Sequence, residues 1–329
     1  MNRSQGPSAP APTVWVLADE RTGDRAQALG VAGALGWPFD VKDIVYNGWA
    51  NLPNVSLGAS FAGVAAESRH ALVPPWPDLV VATGRRTAPV SRGIKRRSGG
   101  WTFLVQVMHP GPGGLDELDL IVVPSHDQVP PRPNILRVMG APHQVTPALL
   151  AEAAARWRGR FKDYPKPWIA LIIGGSTRRR AFTAAMAREL GRLVNTLAED
   201  GGGSLLITTS RRTGNAIEAL FKEITVPWIV YRWGQEGENP YFGYLALADI
   251  VVATGDSVSM CSEACATSAP VYVYAPSALI TNKHARFHRE LYDKGFARPL
   301  QPPFARWTHP PLNPAPEIAA EIRRRLKWT

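Results

Sequence analysis

The segment DLVVATGRRT, starting at Asp78, returns as DIVVATGDSV, starting at Asp249. Each copy sets an acidic residue before a run of apolar β-formers and closes on Thr-Gly. A run that is apolar at every position, rather than at alternate ones, fits a parallel strand covered on both faces. The Thr-Gly marks a tight turn at the strand's carboxyl end. The spacing of the two copies is too long for a solenoid repeat, so two similar α/β domains are expected. A chain of 329 residues has room for two cores of ordinary size.

The surrounding sequence fills in both domains. TVWVLA (Thr13 to Ala18) is the first expected strand, and DERTGD the turn after it. RAQALGVAGAL follows as a helix whose Ala28, Val31, Ala32 and Leu35 share one face, ending at Gly36. FDVKDIVY, PDLVVATG, WTFLVQVMHP and LDLIVVPSHD supply further strands, and the helix after PDLVVATG carries SRGIKRRS on its outer side. The Pro-rich stretch from Val129 to Pro147 reads as the exit from domain one, and FKDYPKP (Phe161 to Pro167) as the lead into domain two. There WIALIIGGSTRRRAF, SLLITTSRRTG and VPWIVYRW are strands with their turns, before the repeat strand, a helix and PVYVY. The terminal PEIAAEIRRRLKWT is helical, with Ile318, Ile322 and Leu326 on one face and its arginines facing away. The expected boundaries are a disordered tail over 1–12, an N-terminal domain over 13–150, a C-terminal domain over 165–312 and the helix over 316–329.

Charge narrows the partners. With 37 Lys and Arg against 27 Asp and Glu, the formal net charge of +10 favours phosphate-bearing ligands or an anionic membrane surface. The basic residues are scattered without stacking aromatics between them, which disfavours nucleic acid. Cys261 and Cys265, four apart on a helix, read as reduced thiols of a cytoplasmic protein. No apolar run reaches the length of a membrane span, and the amino-terminal residues lack a signal core.

In doubly wound sheets ligands bind beyond the carboxyl ends of the strands, so the turns hold the candidate site. TGDSVSMCSEA places Gly255 and Asp256 in a turn, Ser257 as an N-cap, and Ser259 and Glu263 on one face of the helix that follows. Helix amides there suit a diphosphate, and Glu263 suits ribose hydroxyls, or else simply faces solvent. IIGGSTRRR offers Gly174, Gly175, Ser176 and Thr177 as open backbone amides with Arg178 to Arg180 beside them. It is no P-loop, because Gly-Lys-Ser/Thr is missing. Ser210 and Arg211 repeat the basic turn. In domain one, Asp19, Glu20 and Asp24 end the first strand. Asp19 or Asp24 could act as a general base, or Asp24 could cap the helix. Gly84 and Arg85 offer a phosphate contact, and His109 is either a structural histidine or a further base.

Other chemistries lack their motifs. There is no Gly-x-Gly-x-x-Gly, no Gly-x-Ser-x-Gly, no Asp-x-Asp and no cysteine or histidine set for a metal, so no cofactor and no metal are expected. His284 and His288 read as one face of a basic helix.

Two Rossmann-like halves, a glycine turn opening the second and the GDSVSMCSE helix start resemble a GT-B glycosyltransferase. That resemblance implies two domains facing across a cleft, a C-terminal helix crossing back to the first, and a nucleotide-diphosphate sugar held by Gly175, Ser176, Ser257, Ser259 and Glu263. ADERTGDRAQALGVAGALG, PDLVVATGRRTAPVSRGIKRR, FLVQVMHP, IGGSTRRRAF, LLITTSRRTG and NPYFGYLALADIVVATGDSVSMCSEA are similar to the bacterial family named after the plant "elongated mitochondria" fission protein. Members are also described as nucleoside-diphosphate-sugar epimerases, and the plant protein is linked to recruiting a dynamin. The expected function is metal-independent sugar transfer to a lipid-linked or envelope acceptor at the inner membrane surface, with helices around Arg96 and Arg323 against anionic lipid. Epimerase and non-enzymatic adaptor are the alternatives.

Overall fold

The computed structural model describes residues 11–327, so the expected tail lies outside them but for its last two positions. The chain divides into two compact units. The first runs to Gln144 and is completed by the segment from Pro314, and the second is Val145–Asn313.

Unit 1 contains β1 (Val14–Ala18), α1 (Thr22–Leu35), β2 (Phe39–Asp43), the single turns α2 (Asn54–Leu57) and α3 (Ala66–Arg69), β3 (Leu79–Thr83), α4 (Thr87–Arg97), β4 (Phe103–Val107), β5 (Leu120–Pro124) and β6 (Ile135–Val138). Its strands pair in parallel in the order β2-β1-β3-β4-β5-β6. Val14, Val16, Leu79 and Val81 point to one face, against Ala28, Val31, Ala32 and Leu35 of α1. Trp15, Leu17, Val80 and Ala82 point to the other, against Val90 and Ile94 of α4.

Unit 2 contains α5 (Pro147–Trp157), β7 (Trp168–Ile173), α6 (Ala184–Glu199), β8 (Ser204–Thr209), α7 (Ile217–Phe221), β9 (Trp228–Tyr231), α8 (Tyr241–Leu247), β10 (Ile250–Thr254), α9 (Val258–Ala264), β11 (Val271–Tyr274), α10 (Asn282–Asp293) and β12 (Arg298–Pro299). The order is β12-β11-β10-β7-β8-β9, again all parallel. α6 packs Ala187, Leu190 and Val194 on Ile169, Leu171, Leu205 and Ile207. Trp157, Phe161, Trp168 and Tyr244 form an aromatic cluster beneath, with Phe161 and Tyr244 ring centroids 5.4 Å apart.

The repeated segment has the same job in each unit. β3 lies beside β1, and β10 beside β7, the first strand of its own sheet. The acidic residue before each strand fixes that neighbour: Asp78 accepts the Thr13 amide at 2.8 Å, and Asp249 accepts the Trp168 amide at 2.8 Å.

Several expectations need correcting, among them the outward placement of SRGIKRRS, since Ser91, Arg92, Gly93 and Ile94 of α4 are buried. Residues 129–147 are not a bare exit, because Ile135–Val138 pairs with β5 as the sixth strand. Proline on both sides and a half-exposed edge position hide so short a strand from any periodicity. α5, capped by Thr146, lies in unit 2, ahead of the expected start of that domain. The terminal helix α11 (Ala315–Leu326) buries Ile318, Ala319 and Ile322 in the core of unit 1. Its arginines do not all face away: Arg323 donates to the carbonyls of Ala34 and Leu35 at the end of α1, Arg325 to those of Asp119 and Pro133. His288 is likewise no exposed basic residue; it is 2% exposed and packs against Gly255.

Candidate functional sites at the two switch points

A doubly wound sheet opens a crevice where successive connections leave a strand in opposite directions. In unit 1 the chain goes from β1 outward to β2 and returns to β3. In unit 2 it goes from β7 through β8 to β9 and returns to β10. The crevices therefore lie at β1/β3 and β7/β10, and both copies of the repeated Thr-Gly end there.

In unit 2 three turns are bound together. Ser210 Oγ donates to Gly174 O at 2.5 Å and Thr213 Oγ1 to the same oxygen at 2.7 Å. Gly175 has φ +136°, and a Cβ there would strike the Arg212 carbonyl, so the β7 turn fits under the β8 turn only as glycine. The amides of this turn are not open as the sequence suggested. Gly174 donates to Thr254 Oγ1, Gly175 to Asp256 Oδ2, Ser176 to Arg212 O and Thr177 to Arg180 O. The loop folds back on its own polar groups. Ser176 Oγ accepts from Phe182, and the Gly255 amide donates to Tyr274 O. Asp256, 4% exposed, also forms an ion pair with Arg212 at 2.6 Å. Arg212 escaped the sequence reading, which took its neighbour Arg211; which of two adjacent arginines turns inward depends on turn geometry that composition does not carry.

Positive charge remains at this edge. Arg178, Arg179 and Arg180 after β7 and Arg211 after β8 are exposed, and none has a carboxylate at ion-pair distance among the described residues. Because Arg212 neutralises Asp256, these four guanidiniums set the sign of the local field. Ser257 caps α9 by accepting the Met260 amide at 3.3 Å, and Ser259 sits in its first turn. Half-buried Glu263 accepts a hydrogen bond from the Tyr241 hydroxyl. Burial pushes its carboxyl up to about 7, against the pull of that hydrogen bond. Tyr241 and the exposed Trp233, whose amide donates to Thr209 Oγ1 at 2.8 Å, are further polar and aromatic groups the sequence reading passed over. Trp233 lies in the turn after β9 and Tyr241 opens α8, so neither follows a strand end directly.

In unit 1, Asp19 accepts the Arg21 amide at 2.7 Å and pairs with Arg86 at 3.0 Å, so its side chain organises the turn. Asp24 lies inside the first turn of α1 and is not its cap, which is Arg21. Its carboxyl is raised, first by burial and then by Asp19, while Arg21 and Arg86 oppose the shift. Gly84, with φ +83°, lets the β3 turn pass; a Cβ would lie 2.9 Å from Asp24 Oδ2. The Tyr46 ring lies under the Arg86 guanidinium at 4.6 Å. Arg85 does not face a ligand: it donates to the carbonyls of Leu52 and Ala50. His109 accepts the Gly111 amide on Nδ1 at 3.1 Å, which leaves its other nitrogen to carry the proton; burial lowers its basicity further. Among the described residues no group of three or more His, Cys, Asp or Glu is placed to hold a metal ion. Cys261 and Cys265 are buried free thiols.

Comparison with known proteins is consistent with this architecture. The family model for mitochondrial fission ELM1 matches residues 22–326. Mitochondrial fission protein ELM1 of Arabidopsis thaliana is 33% identical over 297 residues, which is 82% of this chain and 69% of that protein. The RP120 protein of Rickettsia prowazekii is 28% identical, covering 95% of this chain and 98% of its own. Among solved structures, UDP-GlcNAc 2-epimerase from Neisseria meningitidis bound to UDP-GlcNAc superposes with a TM-score of 0.50 at 12% identity, over 95% of this chain and 100% of that one. A UDP-N-acetylglucosamine 2-epimerase from Listeria monocytogenes gives 0.52 at 12% identity, over 88% and 84%. The forosaminyltransferase SpnP gives 0.50 at 13% identity, over 97% and 95%. At such identities the likeness shows the fold, two Rossmann-like domains of the GT-B kind.

Proposed function

The chain belongs to the mitochondrial fission ELM1 family, and from that premise we propose that it is a metal-independent glycosyltransferase using a nucleotide-diphosphate sugar. The observation that carries the reading is the row of unpaired arginines, Arg178 to Arg180 and Arg211, at the switch point of unit 2. A diphosphate there would find charge from guanidiniums rather than from the loop amides, which are already bonded. Glu263 and Tyr241 would hold ribose hydroxyls, and Trp233 offers a face for a base. The fold neighbour solved with UDP-GlcNAc bound lends support to a nucleotide-sugar ligand.

In the proposed reaction an acceptor hydroxyl attacks the anomeric carbon and its proton passes to Asp24. The bond from that carbon to the diphosphate oxygen breaks, and the leaving diphosphate keeps the electron pair. Arginines near that oxygen stabilise the growing charge. A carboxyl raised by burial is a stronger base when ionised, which favours Asp24, 3.8 Å from Arg21, over Asp19, held by Arg86 at 3.0 Å. His109 is the weakest candidate, given its bond to Gly111.

The acceptor is proposed to be lipid-linked or part of the envelope, reached from a cytoplasmic, peripheral position at the inner membrane. No helix among the described residues is long and apolar enough to cross a membrane. Residues 44–66 contain no charged side chain, and Val45, Trp49, Leu52 and Val55 are exposed there. Apolar and aromatic side chains of this kind suit an interfacial contact, and they join exposed Arg96 and replace Arg323, whose guanidinium is bonded to backbone carbonyls, as the group to test.

Titration calorimetry with UDP, GDP, ADP and dTDP tests the binding step. Binding of at least one, weakened about tenfold in Arg178→Ala/Arg211→Ala, supports the reading; no heat from any at millimolar concentration favours the adaptor. An epimerase reading is favoured by Glu263, whose carboxyl near 7 could move a proton on a sugar held in unit 2 alone. Product analysis separates the two: transfer releases nucleoside diphosphate in step with a second product, whereas epimerisation yields an isomeric nucleotide sugar.

A further inference from the structure

The sheet of unit 2 stops short on one side. β12 is two residues long and pairs only with Tyr272 and Val273, so Tyr274, the last residue of β11, has no strand partner there. Side chains of α6, of α10 and of the segments flanking this margin enclose a cavity of about 410 Å³. That size falls within the range of small-molecule sites, about 300 to 1,000 Å³. The cavity is separate from the arginine edge: none of Arg178 to Arg180 or Arg211 lines it. Its boundary toward the β10 turn is His288, packed so closely on Gly255 that a Cβ there would lie 2.5 Å from the ring.

The lining has two parts. Leu193, Ile280 and Leu300, which belong to the unit 2 core or pack against it, supply an apolar floor. Glu189 of α6 and Arg289 of α10 bring opposite charges to the same space. Neither has an ion-pair partner among the described residues, each other included. Glu189 is nevertheless held: the hydroxyl of Tyr274, a residue only 4% exposed, donates to its Oε2 at 2.7 Å. Fixing a flexible surface side chain costs conformational entropy. The bond aims the carboxylate while leaving it lone pairs for further donors.

We propose that this cavity binds an α-amino acid with an apolar side chain, its carboxylate on Arg289, its ammonium on Glu189 and its side chain on the floor of Leu193, Ile280 and Leu300. A zwitterion answers both charges with charge-assisted hydrogen bonds. A simple anion would leave Glu189 unmatched and a simple cation would leave Arg289 unmatched. The inference goes beyond the proposed function and does not depend on nucleotide binding.

Saturation-transfer NMR titrations of the full chain with L-phenylalanine, 2-phenylethylamine, 3-phenylpropionate and L-serine test it. L-phenylalanine is expected to bind, and each of the other three, lacking one of its contacts, to bind at least about tenfold more weakly. Arg289→Ala should weaken L-phenylalanine about tenfold and leave 2-phenylethylamine unchanged. Glu189→Gln keeps an acceptor for Tyr274 and removes the charge; it should weaken L-phenylalanine about tenfold without weakening 3-phenylpropionate. Both side chains are exposed, so neither substitution should lower the melting temperature. No signal from L-phenylalanine at millimolar concentration, equal affinity for the three aromatic probes, or affinity indifferent to both variants overturns the inference. So does loss of L-phenylalanine binding in Arg178→Ala/Arg211→Ala, which would put the amino acid on the arginine edge. Nucleoside diphosphate binding by Arg289→Ala, expected to match the wild type, reports separately on the proposed function.

Discussion

Glu263 carries a carboxyl raised from 4.5 to about 7 by burial, with the Tyr241 hydrogen bond pulling the other way. Between those values the unfolded chain releases this proton while the folded protein keeps it. Stability therefore falls as pH rises through that window and levels off above it, by up to about 3 kcal/mol, an upper bound for a half-buried side chain. Glu263→Gln keeps an oxygen for Tyr241 and removes the ionisation. Its urea midpoint at pH 8 is expected above that of the wild type, with no such gain at pH 4. Asp256 has the opposite arrangement, since its buried charge is balanced by Arg212. Arg212→Ala should cost about 3 kcal/mol by leaving that carboxylate uncompensated, and adding Asp256→Asn should restore part of the loss. If the double variant is no more stable than Arg212→Ala alone, the ion pair is not what holds the three turns. Neither pairing was legible in the sequence. Glu263 could be singled out by its spacing from Ser259, but Tyr241 lies far along the chain and only the folded sheet edge brings the two together.

At the scale of elements the sequence was most informative where a pattern repeated without interruption. β1, β3, β7 and β10 are apolar at every position because both faces are covered, and the face of α1 through Ala28, Val31, Ala32 and Leu35 lies in the core as its period indicates. β6 escaped because its burial is partial and proline flanks it. The basic look of α11 misled for a related reason: guanidiniums that accept no water-facing role can satisfy carbonyls at the end of another helix. Since Ile318 and Ile322 are fully buried among unit 1 residues, Ile318→Ala should cost about 2 to 4 kcal/mol. Hydrogen exchange should show α1 and α11 losing protection together in that variant. Loss confined to α11 would mean that the helix contributes little to the unit.

Across the whole molecule, one strand-and-turn written twice marks equivalent places in two sheets, and divergence after the Thr-Gly sets each place apart. After Gly84 come Arg85 and Arg86, drawn onto carbonyls and carboxylates; after Gly255 comes Asp256, drawn onto Arg212. The fold could be inferred from the repeat and the alternation of strands and helices. The state of the loops could not, because hydrogen bonding among backbone amides at Gly174 to Thr177 leaves no trace in residue type. The proposed function requires a nucleoside diphosphate on the arginine edge of unit 2. Hydrogen–deuterium exchange with and without UDP, or whichever diphosphate binds in calorimetry, measures this most directly. Slowed exchange confined to residues 174–183, 209–214 and 254–263 is the predicted result; slowing in unit 1 alone, or around α10 and β12 with those turns unchanged, contradicts it.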